Sequence, residues 1–289
     1  LLDTGKAVDD DRRVRGPGTA PFSVENAMQS LALRVERQPQ HYPVPARAPA
    51  LVTVAKRTYE NRLLRALPRE VQDRIGPHLE RIELPQGAVL YEAGAQVRYT
   101  YFPVNSIVSL LYVMENGDSA QTVMVGFEGL VGVSPFMGCK NSPSRAVMQS
   151  SGALYKVRSS LMAQEFVNNA QATQLLLRYT QSLFIQLAQS AVCNRHHSLE
   201  NQLCRWLLTT LDRLHGNEMY ITQELIANMI GARREGVTGA AGNLQRMGII
   251  TYSRGHITVV DRPALERHVC ECYATVKQQT DHLITDGAD

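Results

Sequence analysis

Cysteine is scarce in this sequence: five residues in 289 (Cys139, Cys193, Cys204, Cys270 and Cys272), with none before Cys139. An odd, scattered set argues against a disulfide framework. With an N-terminus that lacks a signal-like pattern, it predicts a reduced, cytoplasmic setting. Long apolar runs are missing as well. No stretch reaches the roughly 18 apolar residues that a membrane span needs, and the oiliest, from Leu175 to Val192, carries Arg178, Gln181, Gln186 and Gln189. The first half is poor in metal ligands, since from Tyr59 to Val157 the only histidine is His78. A catalytic metal on that half is not expected, and the chain does not read as an enzyme. Nor is there a strong excess of one charge, because 30 basic residues face 27 acidic ones for a net charge of +3. Overall charge therefore says little about nucleic acid, but local charge says more. Between Gly231 and Arg262 there is no lysine, yet Arg233, Arg234, Arg246, Arg254 and Arg262 face only Glu235 and Asp261, a plausible footprint on a phosphate backbone.

That basic stretch overlaps the most patterned part of the chain, Ile221 to Ile250. Thr222 is placed to cap a helix and Glu224 to sit in its first turn, where the helix dipole favours negative charge. Leu225, Ile226, Met229 and Ile230 give one apolar stripe, and Gly231 stands where a tight turn needs positive φ. A second helix from about Arg233 turns Val237, Ala240, Ala241, Leu244 and Met247 inward and leaves Arg234, Glu235 and Thr238 outward. Arginine and glutamate at the start of a recognition helix suit guanine O6/N7 and the cytosine amino group. The spacing also fits an ordinary helical hairpin with a solvated charged face.

Residues 1–58 carry DDDRR and QPQHYPVPARAPA without a sustained apolar period and read as a flexible arm. Residues 59–158 open with a helical stretch, Tyr59 to Leu79. Short β segments follow at regular intervals, among them Ile107 to Met114 and Ala120 to Val125 joined by Asn116-Gly117, a hairpin signal. Such spacing predicts a small β-roll. Residues 159–197 hold a short helix and a long one, from about Ala172 to Arg195, apolar on more than one face. Either a second subunit covers the further face, in a two-fold dimer, or the helix is buried inside a monomer. Residues 198–289 add a helix capped by Ser198, the helix-turn-helix, a hairpin turning at Arg254-Gly255 and a final helix from Pro263 to about Ile284.

This α+β order, a β-roll, a long dimerisation helix and a C-terminal winged helix-turn-helix, resembles the Crp/Fnr family of bacterial transcription regulators over about Tyr59 to Ile284. The residues that carry the resemblance are ITQELIANMIGARREGV, CNRHHSLENQLCRWLL and DRPALERHVCECY. It implies a homodimer on double-stranded DNA, modulated by a signal at a cyclic-nucleotide-binding-like roll, and contact with RNA polymerase where transcription is activated. The DNA-binding residues it suggests are Thr222, Arg233, Arg234, Glu235, Thr238, Arg254 and His256. Relatives that bind cyclic nucleotides use a Gly-Glu-Leu turn and a phosphate-pairing arginine. Here the turn is Gly132-Val133-Ser134, and Val133 cannot accept a hydrogen bond from a sugar. A cyclic nucleotide is therefore not expected. Arg145 is the one candidate effector-binding residue, with a structural ion pair as its favoured alternative. The family's oxygen sensors hold an iron–sulfur cluster on N-terminal cysteines, which this chain lacks. In a continuous last helix Cys270 and Cys272 would point to different faces, so no metal is expected there.

The recognition helix departs from the family in its glycines. Gly236, Gly239 and Gly242 recur every three residues, and Gly239 stands where many relatives carry arginine. Either that helix approaches something closely or it forms loosely until it meets DNA.

Overall fold

The structure, a computed structural model, describes residues 59–214 and 216–285. The arm expected over residues 1–58 lies outside the described residues. The helical stretch expected from Tyr59 to Leu79 is two helices, α1 (Arg62–Ala66) and α2 (Arg69–Ile75), closed by a 3-10 turn. Pro68 divides them because the residue before a proline is driven out of helical geometry. Asn61 caps α1 by accepting from the Leu64 amide at 2.8 Å. Its amide group donates to the carbonyls of Pro103 (2.9 Å) and Gly129 (2.8 Å), tying the helix to the roll.

Seven strands follow: β1 (Glu80–Leu84), β2 (Val89–Tyr91), β3 (Tyr99–Pro103), β4 (Val108–Val113), β5 (Ser119–Val125), β6 (Arg145–Met148) and β7 (Gly152–Arg158). They pair antiparallel in two sheets, ordered β1-β7-β3 and β2-β6-β4-β5. Ile82, Tyr101, Val108, Val123, Val125, Met148 and Leu154 fill the space between the sheets, so the roll has a packed apolar interior. The β4–β5 hairpin turns at Asn116-Gly117 as expected, but only Gly117 takes positive φ (+93°). Its amide closes the turn onto the Met114 carbonyl at 3.0 Å.

Helix α3 (Ser159–Asn168) leads into the long helix α4 (Ala170–His196), capped by Asn169, which accepts from the Ala172 amide at 2.9 Å. One side of α4 buries Leu175, Leu176, Tyr179 and Gln186 against the roll. Gln186 accepts from the Met124 amide at 2.6 Å, and the Tyr179 hydroxyl donates to the Leu130 carbonyl at 2.7 Å. The other side leaves Leu177 (63% exposed), Phe184 (54%) and Val192 (49%) uncovered in this single chain. No helix among the described residues is long and apolar enough to cross a membrane.

The C-terminal part comprises α5 (Leu199–Leu211), β8 (Glu218–Tyr220), α6 (Gln223–Ile230), α7 (Arg234–Arg246), β9 (Ile250–Ser253), β10 (His256–Val259), α8 (Arg262–His268) and α9 (Cys272–Thr285). Two features differ from expectation. β8 adds a third strand to the wing, in the order β8-β10-β9. The last helix is not continuous: Val269 leaves helical geometry with ψ 155°, and α9 restarts at Cys272. This break makes room for Cys270 and Cys272 both to be buried beside Cys193 of α4, with α9 lying along α4.

The helix-turn-helix and the roll share a core. Ile107, Leu111 and Met124 of the roll pack with Trp206, Leu207, Met229 and Ile230, seating α6 on β5. Polar contacts edge the seam: the Trp206 indole donates to Gln121 Oε1 at 2.9 Å, and Gln86 Nε2 donates to the Tyr220 carbonyl at 3.0 Å.

Candidate nucleic-acid interface

Thr222 caps α6, its Oγ1 accepting from the Leu225 amide at 3.2 Å. Gly231 ends the helix in the left-handed region at φ +68°, which suits glycine because a Cβ is strained there. After Ala232 the chain re-enters helical geometry at α7, whose N-cap, Arg233, is extended and supplies no capping side chain. The open, positive end of α7 therefore faces solvent with two arginines beside it, a suitable setting for an anion.

Along α7, Val237, Ala240, Ala241 and Leu244 are buried, while Arg234, Glu235 and Thr238 are exposed. The structure thus turns the three candidate reading residues to one face. Met247, expected on the inward side, is instead half-exposed, because the helix ends at Arg246 and the chain turns away through Gly248. Thr238 Oγ1 lies 2.7 Å from Gln223 Oε1 and 3.0 Å from the Arg234 carbonyl, linking the outward faces of α6 and α7. The three glycines are not equivalent. A Cβ on Gly236 would lie 2.6 Å from Leu199 Cδ2 of α5, whereas Gly239 and Gly242 have no atom within 4 Å of that position. Gly236 therefore permits a close helix crossing inside the protein, and Gly239 adjoins open space on the reading face.

The wing turns at Arg254-Gly255 with φ +49° and +77°. Positive φ at both central residues is the primed turn that matches the twist of a two-residue hairpin. Arg254 is the only non-glycine among the described residues with positive φ, and it is exposed at the tip. His256, the other wing candidate, is partly buried. It stacks on Tyr220 with ring centroids 4.6 Å apart, and its Nε2 is 3.3 Å from Glu218 Oε2.

The basic footprint is narrower than the sequence implies. Arg262 points inward, with Nη2 2.5 Å from Asp212 Oδ1 and Nε 2.8 Å from Glu266 Oε1. Burial alone would lower its pKa, but these two carboxylates outweigh it and hold the guanidinium charged. Arg246 bonds back to Asn243 on its own helix. Arg233, Arg234, Arg246 and Arg254 remain exposed.

At the roll, Arg145 Nε lies 2.9 Å from Glu92 Oε2. Gly132 takes φ +99°, and Ser134 opens a 3-10 turn to Met137. A cleft between β5, α4 and α5 is lined by Gln121, Met124, Gln186, Arg205 and Trp206.

Compared with known families, residues 201–268 match the model of the Crp-like helix-turn-helix domain. That part of the chain is a Crp-like helix-turn-helix head. Helices α4 and α5 join this Crp-like head to the roll. Solved structures agree in fold. FixK2 from Bradyrhizobium japonicum is 14% identical over 66% of this chain and 98% of its own, with a TM-score of 0.57. A putative Crp/Fnr regulator from Eubacterium rectale is 18% identical over 71% and 96%, with a TM-score of 0.58. A Crp-family regulator from Thermus thermophilus, TTHB099, is 17% identical over 64% and 95%, with a TM-score of 0.56. Compared with curated protein sequences, the chain gives no significant match.

Proposed function

We propose that the chain is a Crp/Fnr-type transcription regulator that binds DNA as a homodimer and reads a roughly palindromic site through α7. The observation that carries the reading is the exposed Arg234-Glu235 pair at the uncapped start of α7, within a Crp-like head. Arg234 and Glu235 read base edges, Arg233 and Arg254 hold phosphates, and Thr238 serves either purpose. Thr222 and His256 border the contact: one is occupied as a helix cap, and the other is held by Tyr220 and Glu218. The exposed apolar side of α4 supports the dimer, which would set two reading helices about 34 Å apart in successive major grooves. An activating form would also meet RNA polymerase.

The signal that modulates binding acts at the roll. Cyclic nucleotide does not suit it, because Val133 offers no acceptor to a ribose and Arg145 is engaged by Glu92. Selection of binding sites from random duplexes tests the main reading. The wild-type chain should return an inverted repeat, and Glu235→Ala should relax preference at one base pair in each half-site. Equal loss of affinity for selected and random DNA would remove Glu235 from base reading.

A further inference from the structure

Outside the proposed DNA-binding face, one group of metal-ligating side chains among the described residues comes together from two distant segments. Cys193 lies in the last turn of α4 and His197 caps that helix four residues later; Cys270 and Cys272 flank Glu271 at the break between α8 and α9. One ligand atom from each falls within 4.8 Å of all the others, with the three thiols buried and the imidazole partly so. We propose that Cys193, His197, Cys270 and Cys272 bind one zinc ion in a closed tetrahedral site.

The dimensions suit that ion. Zinc bonds of about 2.3 Å to sulfur and 2.0–2.1 Å to nitrogen set tetrahedral edges of about 3.8 Å between two sulfurs and about 3.5 Å between sulfur and nitrogen. Cys193 Sγ and Cys270 Sγ are 3.7 Å apart, and Cys272 Sγ is 3.4 Å from His197 Nδ1. A disulfide needs about 2.05 Å between sulfurs and would use only two of the four groups. An iron–sulfur cluster distributes its four ligands over two or more irons, which requires a wider set of ligand atoms than this.

The surroundings match a metal site as well. On the far side of the imidazole, His197 Nε2 lies 3.4 Å from Glu271 Oε1, the carboxylate that fixes a ligating histidine's tautomer and leaves Nδ1 free to bind. Gln189 Nε2 donates to Cys272 Sγ at 3.0 Å, support that a thiolate ligand receives. Binding deprotonates the three thiols, and their protons pass to solvent. With four protein ligands the site is structural. It fastens the C-terminal helix to the end of α4, where the long helix hands over to the Crp-like head.

The test uses the full chain purified under reducing conditions without chelator. Elemental analysis should find about one zinc per chain, and cobalt exchanged into the stripped protein should give the intense ligand-field bands of tetrahedral cobalt with sulfur-to-cobalt charge transfer. Cys193→Ser and Cys272→Ser should weaken metal retention against a chelator by at least about tenfold, while His197→Cys and the remote Cys139→Ser retain it. Because a ligand variant could misfold, the wild-type cobalt spectrum is decisive. A folded wild-type chain without zinc that gives no cobalt spectrum, a weak octahedral one, or a Cys193–Cys270 disulfide by mass would overturn the site. DNA affinity is measured separately, so failure of either reading is distinguishable from the other.

Discussion

Arg213 Nε donates to Glu128 Oε1 at 2.7 Å, with each side chain more than nine-tenths buried. The pair joins the end of α5 to the loop after β5, where the Gly126 amide also donates to Glu128 Oε1, at 3.1 Å. Removing one partner strands the other's charge away from water. Glu128→Ala should therefore destabilise the chain by about 3–5 kcal/mol, and Glu128→Leu with Arg213→Met should recover most of that loss. Urea denaturation checks both; a loss below about 1 kcal/mol for the single variant would show that water reaches Arg213.

At the wing tip, Arg254 holds φ +49°, a conformation that penalises a side chain. Arg254→Gly should stabilise the fold by about 1 kcal/mol. It should also weaken specific and random DNA alike, with the log–log salt slope falling by about 0.9 for the lost phosphate contact. A stabilised variant with an unchanged salt slope would leave the strained arginine without a role at DNA.

The glycines of α7 separate two effects. Gly236→Ala meets the Leu199 Cδ2 methyl, so moving that side chain aside should offset the helix gain and leave stability changed by less than about 1 kcal/mol. Gly239→Ala meets nothing and should stabilise by about 0.8–1.0 kcal/mol. If DNA approaches the helix closely at Gly239, the same variant loses affinity for its selected site; unchanged affinity in gel-shift titrations would exclude a close approach.

Glu200 accepts from Asn243 Nδ2 at 2.8 Å and pairs with His268 Nε2 at 2.5 Å. The Asn243 hydrogen bond first, then the one to His268, hold its carboxyl below the usual range. A depressed folded-state pKa stabilises above the unfolded value of about 4.3 and loses that contribution as pH falls through the folded value. Glu200→Gln should thus be less stable at neutral pH and lose less on acidification. Parallel stability–pH curves below pH about 5 would contradict this.

Leu177, Phe184, Ala188 and Val192 form the exposed stripe on α4, at spacings that keep them on one side of the helix. Phe184→Glu should yield monomers in sedimentation velocity and reduce affinity for a palindromic site while leaving the fold intact. A dimer of unchanged strength would place the interface elsewhere.

The head was legible because its helices pack by local period: Val237, Ala240, Ala241 and Leu244 announce their own buried face, and Gly231 its turn. The features that escaped depend on tertiary partners. Glu218–Tyr220 is too short to show strand alternation and pairs only because β10 lies beside it. Nothing local stops the last helix at Val269; the break belongs to the packing of Cys270 and Cys272 on Cys193. Cys193 and His197 did carry a signal, four residues apart on one helix face, but it acquires meaning only when the other two thiols arrive. Arg262 looked available to phosphate because Asp212, fifty residues away in the chain, is not a sequence neighbour.

The seat of α6 on β5 has a calorimetric consequence. Lifting the head would wet Leu111 and Met124 of the roll together with Met229 and Ile230, and newly wetted apolar surface raises heat capacity. A ligand that frees the head should bind with a heat-capacity change less negative than its own buried area implies. One that leaves the head seated should show the ordinary negative value.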